Sequence, residues 1–202
     1  MTAIEVVATL FGLACVWLTI RRSIWCWPTG LIQVVLYVWI FYRAKLYSDV
    51  GLQVGYTFLQ LYGWHHWLRG GARNGGADGQ LPVTRLTPAG LASWAVAGLA
   101  GTAALGAVMR RYTDAALPYW DAAITALSLV AQVLLARKVL ENWLFWIVVD
   151  VLAVGVYAAK KLYPTTGLYA VFLFMAITGW MAWRKEFQRT LSAASAANPA
   201  AA

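Results

Sequence analysis

Residues 45–67 read KLYSDVGLQVGYTFLQLYGWHHW, and residues 161–183 read KLYPTTGLYAVFLFMAITGWMAW. The second stretch is the first displaced by 116 positions without a gap. Lys45-Leu46-Tyr47 matches Lys161-Leu162-Tyr163, and Gly51-Leu52 matches Gly167-Leu168. Phe58 matches Phe174, and Gly63-Trp64-x-x-Trp67 matches Gly179-Trp180-x-x-Trp183. The same offset extends outward to Arg21 and Arg137 and to Trp27 and Trp143. A gapless repeat in an apolar chain implies two similar helix bundles facing each other. In membranes that arrangement places a binding site between the halves and points to a transporter.

The composition fixes the environment. Of 202 residues, 61% are hydrophobic and 12% charged, and the mean hydropathy is +0.63. A soluble domain carries about twice that charge. The formal net charge of +8 does not signal nucleic-acid binding, because the basic residues sit in short clusters between apolar runs. That is the pattern of loops beside a lipid bilayer. Cys15 and Cys26 lie in or beside apolar segments, which argues against a disulfide framework or a metal site. The apolar N-terminus lacks a basic n-region and has a partner 116 residues later, so it reads as part of the fold and not as a signal peptide.

Apolar runs long enough for one helical crossing fall at 3–20, 27–43, 50–68, 88–109, 119–136, 142–159 and 166–183. The expected fold is an all-α membrane protein with seven transmembrane helices. Spans one to three repeat as spans five to seven, and the Ala/Gly-rich fourth has no counterpart. Two three-helix units joined directly would face opposite ways; one extra crossing makes them parallel. The expected organisation is therefore a first bundle (1–68), a Gly-rich cytoplasmic loop (69–87), a linker helix (88–118), a second bundle (119–186) and a disordered Ala/Ser tail (187–202). Alternating crossings put ten Lys and Arg on one side (Arg21, Arg22, Arg69, Arg73, Arg85, Arg137, Lys138, Arg184, Lys185, Arg189) and six on the other. The bias favours an external N-terminus and a cytoplasmic C-terminus.

The candidate site residues are polar or aromatic groups inside spans. Asn142, Trp143, Trp146 and Asp150 follow i, i+1, i+4, i+8 and share one helix face. Asp150 lies roughly 12 Å along the helix from Asn142 at 1.5 Å per residue. An ionisable residue within a membrane is costly and normally faces the bundle interior. The bland reading makes the tryptophans interfacial anchors and Asp150 a structural hydrogen-bonder. Gln53, Tyr56 and Gln60 share a face of the third span; their repeat partners are Tyr169, Phe172 and Ala176. Asn142 and Asp150 likewise face Cys26 and Val34. A matched scaffold with unmatched polar groups suits an asymmetric ligand, although polar glue between helices is the alternative. Gln132 in the fifth span is a weaker candidate of the same kind. Trp27, the partner of Trp143, sits just before Pro28, which suits a first helical turn. Two indoles with amides nearby suit a flat heteroaromatic ligand, and a cationic ring gains cation–π attraction. No P-loop is present, and His65-His66 reads as a surface pair.

The stretches WCWPTG (25–30), LYSDVGLQVGY (46–56), LYGWHHW (61–67) and ARKVLENWLFWIVVDV (136–151) resemble the PnuC family of bacterial nicotinamide riboside transporters. The resemblance runs from about residue 3 to residue 187. It implies a fold similar to the SWEET sugar transporters, two parallel three-helix bundles with a linker helix. It further implies facilitated diffusion of nicotinamide riboside across the bacterial cytoplasmic membrane, with trapping by cytoplasmic phosphorylation, no cofactor, and a homotrimer as a possible assembly. Thiamine or another vitamin-like substrate fits the same family. By motif, the implied ligand residues are Trp27, Gln53, Asn142, Trp143 and Trp146; face geometry adds Tyr56, Gln60, Gln132 and Asp150. The proline kink repeated in both halves of the SWEET pattern is missing, since Pro28 faces Leu144. Two other classes stand against transport: an intramembrane enzyme built on Asp150 and the histidines, and a structural membrane subunit.

Overall fold

The computed structural model describes residues 3–43, 45, 47–73, 81–114 and 116–197, and within them the chain is helical apart from short connections and the segment 81–87. The helices are α1 (Ala3–Ile20), α2 (Cys26–Arg43), α3 (Tyr47–Arg73), α4 (Pro88–Tyr112), α5 (Pro118–Ala136), α6 (Asn142–Ala159) and α7 (Tyr163–Ala197). Each corresponds to one apolar run. Starts follow from local chemistry: Pro88 and Pro118 occupy first turns, where a missing N–H does no harm, and the Thr87 hydroxyl accepts from the Gly90 N–H. Two boundaries differ from the sequence reading. Helix α3 runs to Arg73, into the expected loop, and α7 runs to Ala197, so residues 187–197 are helical and not a disordered tail. Alanine is the best helix former, and a run of it extends a helix already started. The rest of the Gly-rich loop (74–80) and residues 198–202 lie outside the described residues.

Among the described residues, five helices are long and apolar enough to cross a membrane: α1, α4, α5, α6 and α7. Helices α2 and α3 are not among these five, whereas all seven runs were expected to cross. Their composition explains the difference, since they carry Gln33, Asp49, Gln53, Gln60, His65 and His66 with many aromatics. The outward surface is apolar, with Val96, Leu99 and Phe174 each about two-thirds exposed. Such a surface is at home in hydrocarbon and not in water.

Helices α1, α2 and α3 pack in sequence, as do α5, α6 and α7. Helix α4 packs on α5 through small residues: Gly98 meets Leu127, Gly101 meets Ala126 and Gly106 meets Tyr119. The two groups meet along two seams, α1 with α7 and α3 with α5.

The 116-residue offset governs fine geometry. Among the described non-glycine residues, those with a left-handed backbone are Arg22 (φ 58°), Lys45 (60°), Lys138 (56°) and Lys161 (58°), two pairs at that spacing. Arg22 and Lys138 each follow a helix. The N–H of Arg22 donates to Thr19 O and that of Ser23 to Leu18 O; Lys138 and Val139 repeat the pattern on Leu135 and Leu134. This is a Schellman ending formed twice, with a basic residue in the left-handed position that glycine usually takes.

The core is built on four tryptophans with the same symmetry. Trp27 packs edge-on to Trp67, and Trp143 edge-on to Trp183, with centroids 5.3 and 5.6 Å apart. Trp67 and Trp183, themselves repeat partners, meet at 6.1 Å. All four are 5% exposed or less. Trp27 and Trp143 fit because Gly63 and Gly179 leave notches for their six-membered rings. A Cβ at either glycine would overlap those ring atoms, which cannot retreat within a packed cluster. Gly63→Ala and Gly179→Ala are each expected to cost about 1–3 kcal/mol by overpacking, measured as lower melting temperature of the purified protein. Gly155→Ala, where a Cβ meets nothing within 4 Å, is the neutral comparison. Equal melting of all three variants would contradict the notch.

Candidate functional site

Helix α6 begins at Asn142, and its first turn delivers Asn142 and Trp143 into the core at 0% and 2% exposure. The Asn142 amide N–H donates to Val139 O at 2.6 Å, which fixes its orientation and leaves Oδ1 without a partner. The indole N–H groups of Trp27 and Trp143 are also buried without partners, as is Gln60 Oε1. Among the described residues, these four are the buried side-chain nitrogen and oxygen atoms left unpaired. An orphan of this kind costs about 1–3 kcal/mol, so these four atoms are candidate ligand contacts. All four residues were candidates from the sequence. They offer two N–H donors and two amide-oxygen acceptors.

Burial follows the expected faces. Gln60, Gln132 and Asp150 are buried, and Gln53, Tyr56 and Trp146 are half-buried. Gln60 fills the space beside Gly30 and Cys15, inside the first group of helices. Its repeat counterpart shows the reason for the asymmetry. Where the first group has Gly30 and Gln60, the second has Trp146 and Ala176. A small residue faces a large one in each case, but an amide in one group replaces an indole in the other. The Tyr56 hydroxyl is 2.8 Å from Ser128 Oγ, a bond that crosses the α3–α5 seam. Ser128 was not a candidate; its position on the buried face of α5, four residues before Gln132, was the available signal. Tyr169, the repeat partner of Gln53, stacks on Tyr157 at 5.2 Å.

Trp67 and Trp183 appeared in the sequence only as matched scaffold, yet they hold the site together. The Trp67 indole donates to Leu135 O at 3.4 Å and the Trp183 indole to Thr19 O at 3.0 Å. Leu135 and Thr19 are again 116 residues apart. Trp27 and Trp143 thus have two sides, one set in a glycine notch and the other carrying the unpaired N–H. The histidines stand apart: His65 is exposed, and His66 stacks on Tyr62 at 5.7 Å. Among the described residues no group of His, Cys, Asp or Glu could hold a metal ion.

Comparison with known proteins finds transporters. Residues 2–185 match the family described as nicotinamide mononucleotide transporter. The chain is 30% identical to the nicotinamide riboside transporter PnuC of Escherichia coli K12, over 94% of this chain and 90% of that protein. It is 28% identical to the riboflavin/roseoflavin transporter RibM of Streptomyces davaonensis, over 95% and 91%. A crystal structure of the vitamin B3 transporter PnuC superposes with a TM-score of 0.73 at 27% identity, covering 92% of this chain and 82% of that one. These relatives are transporters, which removes the intramembrane enzyme and the purely structural subunit as leading readings.

Lys138, in the α5–α6 connection, bears on the stability of the site's floor. It is 3% exposed, with its ammonium 4.5 Å from the centre of the Trp67 ring. The ring face attracts the cation, but burial, reinforced by Arg22, lowers its pKa from 10.5 to about 8. Between about pH 8 and 10.5 the unfolded chain therefore holds more proton than the folded one, and this residue's contribution to stability rises with pH. Below that window the full cost of the buried charge is present. Wild type should gain melting temperature relative to Lys138→Met as pH rises from 7 to 10. A gap independent of pH would contradict a buried, destabilised ammonium.

Proposed function

The chain belongs to the nicotinamide mononucleotide transporter family, and from that premise we propose that it carries nicotinamide riboside across the bacterial cytoplasmic membrane by facilitated diffusion. The observation that carries the substrate is the set of four unpaired buried groups: Trp27 Nε1, Gln60 Oε1, Asn142 Oδ1 and Trp143 Nε1. Nicotinamide riboside presents a flat pyridinium ring, a carboxamide and ribose hydroxyls. Indole faces suit the ring, amide oxygens accept from the carboxamide and hydroxyl hydrogens, and indole N–H groups donate to their oxygens. Asp150, the acid deepest in a span, balances the ring's charge. Gln53, Tyr56, Gln132 and Trp146 complete the proposed lining.

In this reading all seven helices cross the membrane, and the exposed apolar side chains of α2 and α3, Val35, Trp39 and Phe58 among them, face lipid or a neighbouring subunit. Residues 1–68 and 119–186 are two parallel three-helix bundles in the SWEET manner, with residues 88–118 as the linker helix. The substrate binds between the bundles, and access alternates as one rocks against the other. The N-terminus is external, the C-terminus and the 69–87 loop are cytoplasmic, and the assembly is a homotrimer. The repeat-matched contacts and the clustering of Arg22, Arg85, Lys138 and Glu186 at one end support this topology.

A second reading, riboflavin transport, is favoured by the similarity to RibM. Its isoalloxazine ring is neutral, so Asp150 separates the two. Calorimetry on the purified protein should show binding of nicotinamide riboside in preference to thiamine and riboflavin. Asn142→Ala and Trp143→Phe should each weaken it about tenfold or more, roughly 1.4 kcal/mol per decade. Asp150→Asn should weaken the riboside and not a neutral ring. Riboflavin binding alone would move the chain to the second reading. Uptake by Asp150→Asn without a pH gradient would exclude proton coupling.

A further inference from the structure

The two Schellman turns that end α1 and α5 are repeat partners, yet their surroundings differ. Beside the first, Arg22 pairs with Glu186 of α7 at 2.8 Å, which ties the α1–α7 seam directly. The position equivalent to Glu186 is Gly70 of α3. No carboxylate can reach Lys138 from there. The second difference lies three residues farther along. Trp25 is 65% exposed, whereas its counterpart Glu141 is 2% exposed.

Both differences have one cause, the extended segment Leu81–Leu86 that precedes α4. Leu81 and Val83 are buried in the same cluster as the four tryptophans. The Leu81 side chain occupies the room that Gly70 leaves, and a Cβ there would lie 2.7 Å from Leu81 Cδ1. Thr84 bridges Val139 in parallel: its N–H donates to Lys138 O at 3.1 Å, and its carbonyl accepts from the Leu140 N–H at 2.8 Å. The Glu141 carboxylate takes Arg85 Nε on one oxygen and the Leu86 N–H on the other, both at 2.9 Å. Every polar bond just named runs to the second half of the chain. Toward α3 of the first half the segment presents apolar groups, with Leu81 fitted against Gly70 and Leu81 and Val83 in the cluster that holds Trp67. The segment therefore lies across the basic end of the α3–α5 seam, bonded firmly to one side and resting on the other.

We infer that Leu81–Leu86 is the gate strap at this end of the transport path. It travels with the α5–α6 turn, and the Leu81–Gly70 contact is the latch that parts to release substrate. A purely apolar contact can part and re-form without stranding a buried polar group. Glu141 is a positioning residue for the strap. This inference rests on the transport reading above.

Two cysteine pairs test it in proteoliposomes loaded for nicotinamide riboside uptake. Gly70→Cys with Leu81→Cys spans the latch; Thr84→Cys with Val139→Cys joins the strap to the turn that carries it. Wild type, whose Cys15 and Cys26 are half-buried and buried, is the oxidation control. Oxidation of the latch pair should cut uptake about tenfold or more, with reductant restoring it, because gating steps of this kind limit turnover. The oxidised protein should still bind riboside. Oxidation of the second pair should leave uptake unchanged. Unchanged uptake with the latch cross-linked overturns the inference. So does an equal block by the second pair, or a latch pair that fails to oxidise where the second succeeds. Wild type without riboside uptake in either redox state overturns the transport reading instead, and the gate with it.

Discussion

Each central indole caps a helix end that belongs to the other half of the chain. Trp67 donates to Leu135 O and Trp183 to Thr19 O, while the two rings touch at 6.1 Å. Carbonyls at helix ends need partners, and in a dry interior water cannot supply them. Leu135 O and Thr19 O already accept from the Schellman N–H groups of Lys138 and Arg22, so each indole takes the second lone pair, and the reciprocal bonds clamp α3 to α5 and α7 to α1 in one motif. Trp27 and Trp143 then stand edge-on against this pair, held in place by Gly63 and Gly179. A larger residue in either notch would displace a ring on which the next contact depends.

The frame is symmetric, and the polar groups hung on it are not. Asn142 and Asp150 have Cys26 and Val34 as partners, and Gln60 has Ala176. A symmetric ligand would use matched groups; a ring bearing a carboxamide on one side and a sugar on the other uses unmatched ones. The frame carries the stability, so the polar positions can hold unpaired atoms that a smaller core could not tolerate. The same division appears at the basic end, where a salt bridge closes one seam and a strap the other.

Much of this was legible before any coordinates. The seven helices follow from the apolar runs, and five of them are long and apolar enough to cross a membrane. The 116-residue offset survives because backbone-determining residues, Gly63 and Gly179 above all, admit few replacements. Asn142, Gln60, Trp27 and Trp143 were visible as polar or aromatic groups in apolar surroundings. What stayed hidden depends on contacts between distant segments. Trp67 and Trp183 showed only as repeat matches, because hydropathy does not say which face of a helix meets another helix. Leu81–Leu86 carries no period that reveals an edge, and nothing in the sequence pairs Glu141 with Arg85 and Leu86, which hold it in the structure. The helical extension to Ala197 follows local propensity, which a low-complexity composition disguised.

The most direct test of the central claim is an experimental structure of the protein with nicotinamide riboside bound. The account predicts the ring between the two halves, in hydrogen-bond contact with Asn142 Oδ1, Gln60 Oε1 and at least one of the unpaired indole N–H groups. A ligand seated elsewhere, such as the apolar outer groove formed by Trp120, Val151 and Gly155, would contradict it.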